Sequence, residues 1–205
     1  MHNFSDEERE EIRENLVETA RELIIRHGFK KTTVEDITEP VGIGESTFYQ
    51  FFDSKSKIFL TVIVREHESL IDTIESEFTE TDDPEADLER LIHTWADEFE
   101  NRPILRAGHQ TFSEYPFQSV EAEMHNEMTN KYLEQLGPII EDLKGRSDGL
   151  IQELDPSVVM EVLSVIELMS RYRDEYEKYG SDEYSFVRDT LITTVARGLT
   201  REKQR

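Results

Sequence analysis

The chain has 205 residues, 36% of them hydrophobic and none of them cysteine, and it sets 46 acidic against 23 basic side chains for a net charge of −23. That length can bury one or two cores, the missing thiols exclude disulfides and thiolate metal sites, and the charge argues against nonspecific nucleic-acid binding at low salt. No basic segment followed by an apolar one opens the sequence and no apolar run is long enough to span a bilayer, so a cytoplasmic protein is expected; self-repulsion of this size is relieved when molar salt shortens the screening length to about 3 Å, which predicts a halophilic setting, with an acidic mesophile protein as the alternative.

Helical periodicity recurs in nearly every segment and alternating strand patterns are almost absent, so the expected fold is all-α. Ser5 with Glu8 three residues on forms a capping box that starts a first helix. Ile12, Leu16, Ala20, Leu23 and Ile24 line one stripe of it, and His27 and Gly28 supply its C-terminal chemistry. Thr32 and Glu35 form a second box, with Thr33 an alternative cap, ahead of a face made by Val34, Ile37, Thr38 and Val41. Pro40 predicts an end or kink near Glu39, and Gly42 permits a tight turn.

The next helix, about Glu45 to Phe51, turns Phe48, Phe51 and Phe52 inward and Ser46 and Gln50 outward, flanked by Thr47 and Tyr49. Two short helices around a glycine turn, the second with an apolar back and a hydrogen-bonding front, fit a helix-turn-helix that lays a reading helix into the major groove.

The run Gly28-Phe29, Thr32-Thr33-Val34-Glu35-Asp36-Ile37, Val41-Gly42-Ile43, Ser46-Thr47-Phe48-Tyr49, Phe52 and Ser54-Lys55, ending at Ile58-Phe59, resembles the signature of TetR-type transcriptional regulators. The resemblance covers about the first sixty residues. It implies a domain at 1–52 with a three-helix DNA-binding fold and a larger helical domain at 53–205 that binds a small effector and dimerises. The implied regulator is most often a repressor, acts as a homodimer on a palindromic operator in double-stranded DNA, and needs no cofactor or metal.

By position, the resemblance places Thr33 and Thr47 at phosphates, Glu45, Ser46, Tyr49 and Gln50 at or near base edges and backbone, and Lys55 at a phosphate. The chemistry agrees: hydroxyls donate to phosphate oxygens, lysine supplies a point charge, and Gln50 offers adenine a bidentate pair. Thr33 as a helix cap and Tyr49 as packing remain the structural alternatives. Pro40, Gly44 and Glu45 depart from the family pattern, and Glu45 sets an acid toward a polyanion. Residues 1–60 hold 8 basic and 13 acidic side chains, net −5, which is less acidic than the rest of the chain.

Ser54 opens a long helix to about Phe78, and Thr79 to Pro84 form an exposed loop. Leu88, Leu91, Ile92, Trp95 and Phe99 share one face of the following helix. Pro103 restarts the chain, and a helix from about Val120 to Lys144 is expected to be interrupted at Gly137 and Pro138. The resemblance makes this region an effector pocket for an apolar or aromatic molecule, with Trp95, Phe99, Phe112, Tyr115, Met124, Met128 and Tyr132 as candidate walls and His93, His109 and His125 as polar anchors; aromatic and methionine side chains at this spacing also serve as ordinary core.

Asp155 and Pro156 start a helix rich in Val, Leu, Ile and Met, and a last helix carries Tyr184, Val187, Leu191, Val195 and Leu199, with Gly198 permitting close approach. Their apolar surface exceeds what one subunit covers, which points to a four-helix contact in a homodimer through the last two helices, Asp155 to Tyr179 and Asp182 to about Lys203. A helical-bundle metalloenzyme is the lesser alternative, since no histidine follows a glutamate by three residues. An adaptor that kept the fold and lost DNA binding is the other.

Overall fold

The computed structural model describes residues 4–107, 118–170, 173–178 and 183–202. Among them every regular element is a helix: α1 (Asp6–His27), α2 (Val34–Val41), α3 (Glu45–Phe48), α4 (Lys55–Glu77), α5 (Pro84–Glu100), α6 (103–107), α7 (Gln118–Arg146), a 3-10 turn at Leu150–Glu153, α8 (Pro156–Ser170), α9 (Arg173–Lys178) and α10 (Glu183–Thr200). None of these is long and apolar enough to cross a membrane. The chain divides into two compact units, residues 1–67 with 103–124 and residues 68–102 with 125–205.

In the first unit α1 begins at the expected box: the Ser5 hydroxyl accepts from the Glu8 N–H and the Glu8 carboxylate accepts from the Ser5 N–H. Leu16, Val17, Ala20 and Ile24 are the side chains it buries. The second box forms one residue later than the sequence suggests. Thr32 is buried and donates its hydroxyl to the Gly28 carbonyl, which leaves exposed, extended Thr33 as the cap, exchanging hydrogen bonds with Asp36.

Pro40 neither ends nor shortens α2, which runs to Val41. The proline falls in the last turn, and that turn is closed without it, since the Gly42 N–H reaches the Thr38 and Glu39 carbonyls and the Ile43 N–H reaches Thr38. Gly42 then reverses the chain at φ 75°, ψ 26°, a left-handed conformation that costs a side chain with a Cβ about 1 kcal/mol or more. α3 is shorter than expected: after Phe48 the bonds tighten to Gln50 N–H on Thr47 and Phe51 N–H on Phe48. Phe48 and Phe52 are buried, whereas Phe51 is half-buried.

In the second unit α5 packs against α8 and α10, and α10 also meets the 3-10 turn. Leu88, Leu91, Ile92, Trp95 and Phe99 are all buried, as their spacing requires. α7 passes through Gly137 and Pro138 without interruption. Pro138 lies on the exposed side while Leu136, Ile140 and Leu143 are wholly buried, so packing overrides the one hydrogen bond the proline removes. α10 buries Tyr184, Ile192, Ala196 and Leu199; Val187 is exposed and Leu191 and Val195 are half-buried, a shift of stripe caused by α5 and α8 covering the other side. Within the chain an added Cβ at Gly198 meets only open space, whereas one at Gly149 would stand 2.4 Å from the Leu199 carbonyl oxygen.

Candidate nucleic-acid interface

α3 supplies the candidate surface because one side of it is anchored. Phe48 is fully buried, lies 5.7 Å from the Phe52 ring and meets the Tyr49 ring edge-on at 5.3 Å. The residues on the side of the segment away from these anchors turn outward. Glu45, Ser46, Tyr49 and Gln50 are exposed, Tyr49 at 53% of its surface, and Thr47 is half-buried. Gly44 precedes α3 without a side-chain cap. The row is hydroxyl, amide, phenol and one carboxylate, all groups that hydrogen-bond to base edges or phosphate.

Thr33 and Lys55 flank this row and are both engaged locally. Thr33 caps α2, its hydroxyl donating to Asp36 Oδ2 at 2.6 Å; the Thr33 hydroxyl and N–H together hold the Asp36 carboxyl below the usual carboxylate range. The Lys55 ammonium donates to the carbonyls of Phe29 at 2.9 Å and Thr32 at 2.7 Å and lies 4.3 Å from the centre of the Phe29 ring, itself stacked on Phe59 at 4.2 Å. Burial draws its pKa below the ordinary lysine value, against the pull of Asp36. Lys55 thus fastens the connection between α1 and α2, a role no spacing rule exposes.

Two arginines of α1 escape a motif-based reading altogether. The Arg9 guanidinium lies 4.9 Å over the Phe51 ring and donates to the Gln50 carbonyl at 3.4 Å, and that of Arg13 lies 4.7 Å over the Phe52 ring. Their spacing of four was readable; their aromatic partners, about forty residues on, were not.

The effector candidates lie in several places. In the second unit Trp95, Phe99 and Met128 are buried and Trp95 stacks on half-buried Tyr132 at 5.0 Å, but His93 points its Nδ1 at Asp189 of α10, 3.8 Å away. His109, Phe112 and Tyr115 lie outside the described residues, as do the side chains of Met124 and His125. The same unit holds an ionic cluster no motif signals: buried Glu100 accepts from the Tyr184 hydroxyl at 2.6 Å, from Arg173 at 2.9 Å and from Arg188 at 3.2 Å. Burial and the Glu100 hydrogen bond push the Tyr184 phenol well above its ordinary value.

A helix-turn-helix followed, among the described residues, by helices alone is the fold class of this protein. Residues 16–62 match the family model described as bacterial regulatory proteins, tetR family. Over 63 residues the chain is 36% identical to the HTH-type transcriptional regulator TcmR of Streptomyces glaucescens, a stretch that covers 31% of this chain and 28% of that one. The fold extends further than the sequence match. The fatty acid degradation regulator FadR from Bacillus halodurans superimposes with a TM-score of 0.65 at 17% identity, covering 98% of this chain and all of the other. The regulator FadR from Bacillus subtilis, solved with stearoyl-CoA, does so with a TM-score of 0.65 at 16% identity over 91% and 98% of the two chains.

Proposed function

We propose that the protein is a DNA-binding transcriptional regulator, acting as a repressor released from its operator by a small apolar or aromatic effector. The exposed row Glu45, Ser46, Tyr49 and Gln50, held outward by buried Phe48 and Phe52, carries this reading, and the tetR-family match of residues 16–62 supports it. Thr33, Thr47 and Lys55 serve as phosphate contacts, while Glu45, Ser46, Tyr49 and Gln50 lie at or near base edges and backbone. On this reading the reading head ends near residue 52, within the compact unit of residues 1–67 and 103–124, and the effector binds among helices further along the chain.

A mobility shift with genomic fragments in molar potassium chloride tests the reading: one fragment retained over the rest is the expected result. High salt suits the assay because a chain of net charge −23 and, on this reading, of a salt-adapted cytoplasm depends on shape and hydrogen bonds more than on counterion release. The effector site is assigned to the helices around the stacked Trp95 and Tyr132. A fold shared with a regulator solved with stearoyl-CoA makes a long-chain acyl compound a reasonable first ligand to titrate. Reciprocity requires operator DNA to weaken effector binding by the factor by which effector weakens DNA binding.

The second reading, an adaptor without DNA binding, is favoured by Glu45 on the exposed face of α3. Failure to retain any fragment in the same assay selects it.

A further inference from the structure

We infer that Arg9 and Arg13 are phosphate contacts of the DNA-binding unit, a pair of charges carried on the aromatic residues that end the reading segment. This rests on the DNA-binding reading above. In the same unit Arg21 pairs with Glu66, Arg26 with Glu22 and Arg65 with Glu14, so each of those guanidiniums has its charge offset by a carboxylate. Arg9 and Arg13 differ. Among the described residues neither forms an ion pair, although the first turn of α1 is acidic at Asp6, Glu7 and Glu8; each instead lies over a ring, Phe51 or Phe52.

The difference has a physical consequence. A carboxylate fixes a guanidinium and cancels its charge, whereas an aromatic face fixes it through the ring quadrupole and leaves the charge whole. Arg9 is also tied to the Gln50 carbonyl, so the backbone that presents Tyr49 and Gln50 presents this cation with them. With net −5 over residues 1–60, a reading surface facing a polyanion needs positive charge that its own acids have not neutralised. Stacking holds two such charges beside the groups that read the groove, at the cost of no additional basic residue.

The test uses the full chain and the duplex that wild type enriches from a random-sequence library in molar potassium chloride. Affinity is measured by fluorescence anisotropy over a potassium chloride series for wild type, Arg9→Met, Arg13→Met and the corresponding lysine substitutions, with thermal melts of each. Each phosphate contact contributes about 0.9 to the slope of log affinity against log salt, so a methionine substitution in both subunits of a dimer should make the slope shallower by about 1.8. Lysine should restore the slope, and the preferred sequence should stay the same because phosphate contacts carry no base information. Methionine variants that melt like wild type and keep its slope overturn the inference, as do variants whose affinity and melting temperature fall together while the slope stays put, since that marks a packing role. A wild-type chain that enriches no duplex removes the DNA reading itself, a separate outcome from wild-type binding with an unmoved slope.

Discussion

Arg21 donates through Nε to Glu66 Oε1 at 2.5 Å, joining α1 to α4 inside the first compact unit across 45 residues of sequence. The carboxylate is buried while the arginine keeps 41% of its side-chain surface in water, so the pair is one-sided: removing the arginine strands a buried charge. Arg21→Ala should cost about 2 kcal/mol in urea unfolding, between the values for exposed and buried pairs because Arg21 is partly solvated. Adding Glu66→Gln to that variant should return part of the loss. A double variant no more stable than Arg21→Ala shows that the carboxylate is not the group being stranded.

Glu45 is the acid on the exposed face of α3. An ionised carboxylate accepts from the N4 amino group of cytosine, so Glu45→Ala should relax the preference at one C·G pair in each half-site, by about 1 to 3 kcal/mol. Operators changed one base pair at a time, at fixed high salt, read this directly. Uniformly tighter binding of every operator would make Glu45 an electrostatic brake and nothing more.

α8 leaves Val158, Val165 and Leu168 exposed along one stripe, and α10 leaves Phe186 at 73% exposure beside Val187. A dimer closed by α8 and α10 would cover these residues, so light scattering in high salt should give twice the 24.1 kDa chain mass, and Val165→Glu with Phe186→Glu should give the chain mass itself. A wild-type monomer would remove both the interface and the expected half-site spacing of about 34 to 36 Å or a multiple of it.

Much of the candidate surface at α3 is legible in the sequence because its causes are local. Phe48 and Phe52 at a spacing of four, Gly42 ahead of them and Ser5 with Glu8 each act within one or two turns. What escapes depends on distant partners. Thr32 reads as the cap, with Thr33 the alternative, until Thr32 is buried against Gly28, Pro138 reads as a break until Leu136, Ile140 and Leu143 are packed, and Glu100 is one acid among 46 until Arg173, Tyr184 and Arg188 converge on it.

Gly149 packs where an ordinary residue cannot: an added Cβ would meet the backbone of Leu199 and Thr200 at 2.4 Å, and the neighbouring Asp148 N–H donates to the Thr200 carbonyl at 3.3 Å. Gly149→Ala should therefore cost about 1 to 3 kcal/mol by overpacking. Gly145→Ala, with open space around the new methyl in the last turn of α7, should instead stabilise by about 0.5 kcal/mol. Equal effects at the two sites would show that the close approach relaxes freely.

Asp87 is wholly buried. Burial alone raises its pKa, yet hydrogen bonds from the Thr81 hydroxyl and N–H and from Arg146 outweigh that and hold it below the usual carboxylate value. A depressed folded pKa contributes stability that is present above the unfolded value of about 3.9 and is lost as pH falls through the folded value. Stability should therefore drop as pH falls below about 4. Asp87→Asn should be less stable by about 3 kcal/mol at neutral pH and decline less steeply in acid; identical acid limbs would assign the loss to other carboxylates.

The segment Thr79–Asp83 has the composition of a flexible acidic linker, and yet its backbone is pinned from three sides: Arg90 holds the Thr79 carbonyl at 2.9 Å, Arg146 holds that of Thr81 at 2.7 Å, and Asp87 accepts the Thr81 N–H at 3.0 Å. A protease must draw several residues of substrate into an extended strand before it can cut, and here that would mean releasing all three bonds together. The stretch that looks most inviting for limited digestion, or for inserting an affinity tag or a fluorescent reporter, is therefore among the poorer places to open this polypeptide.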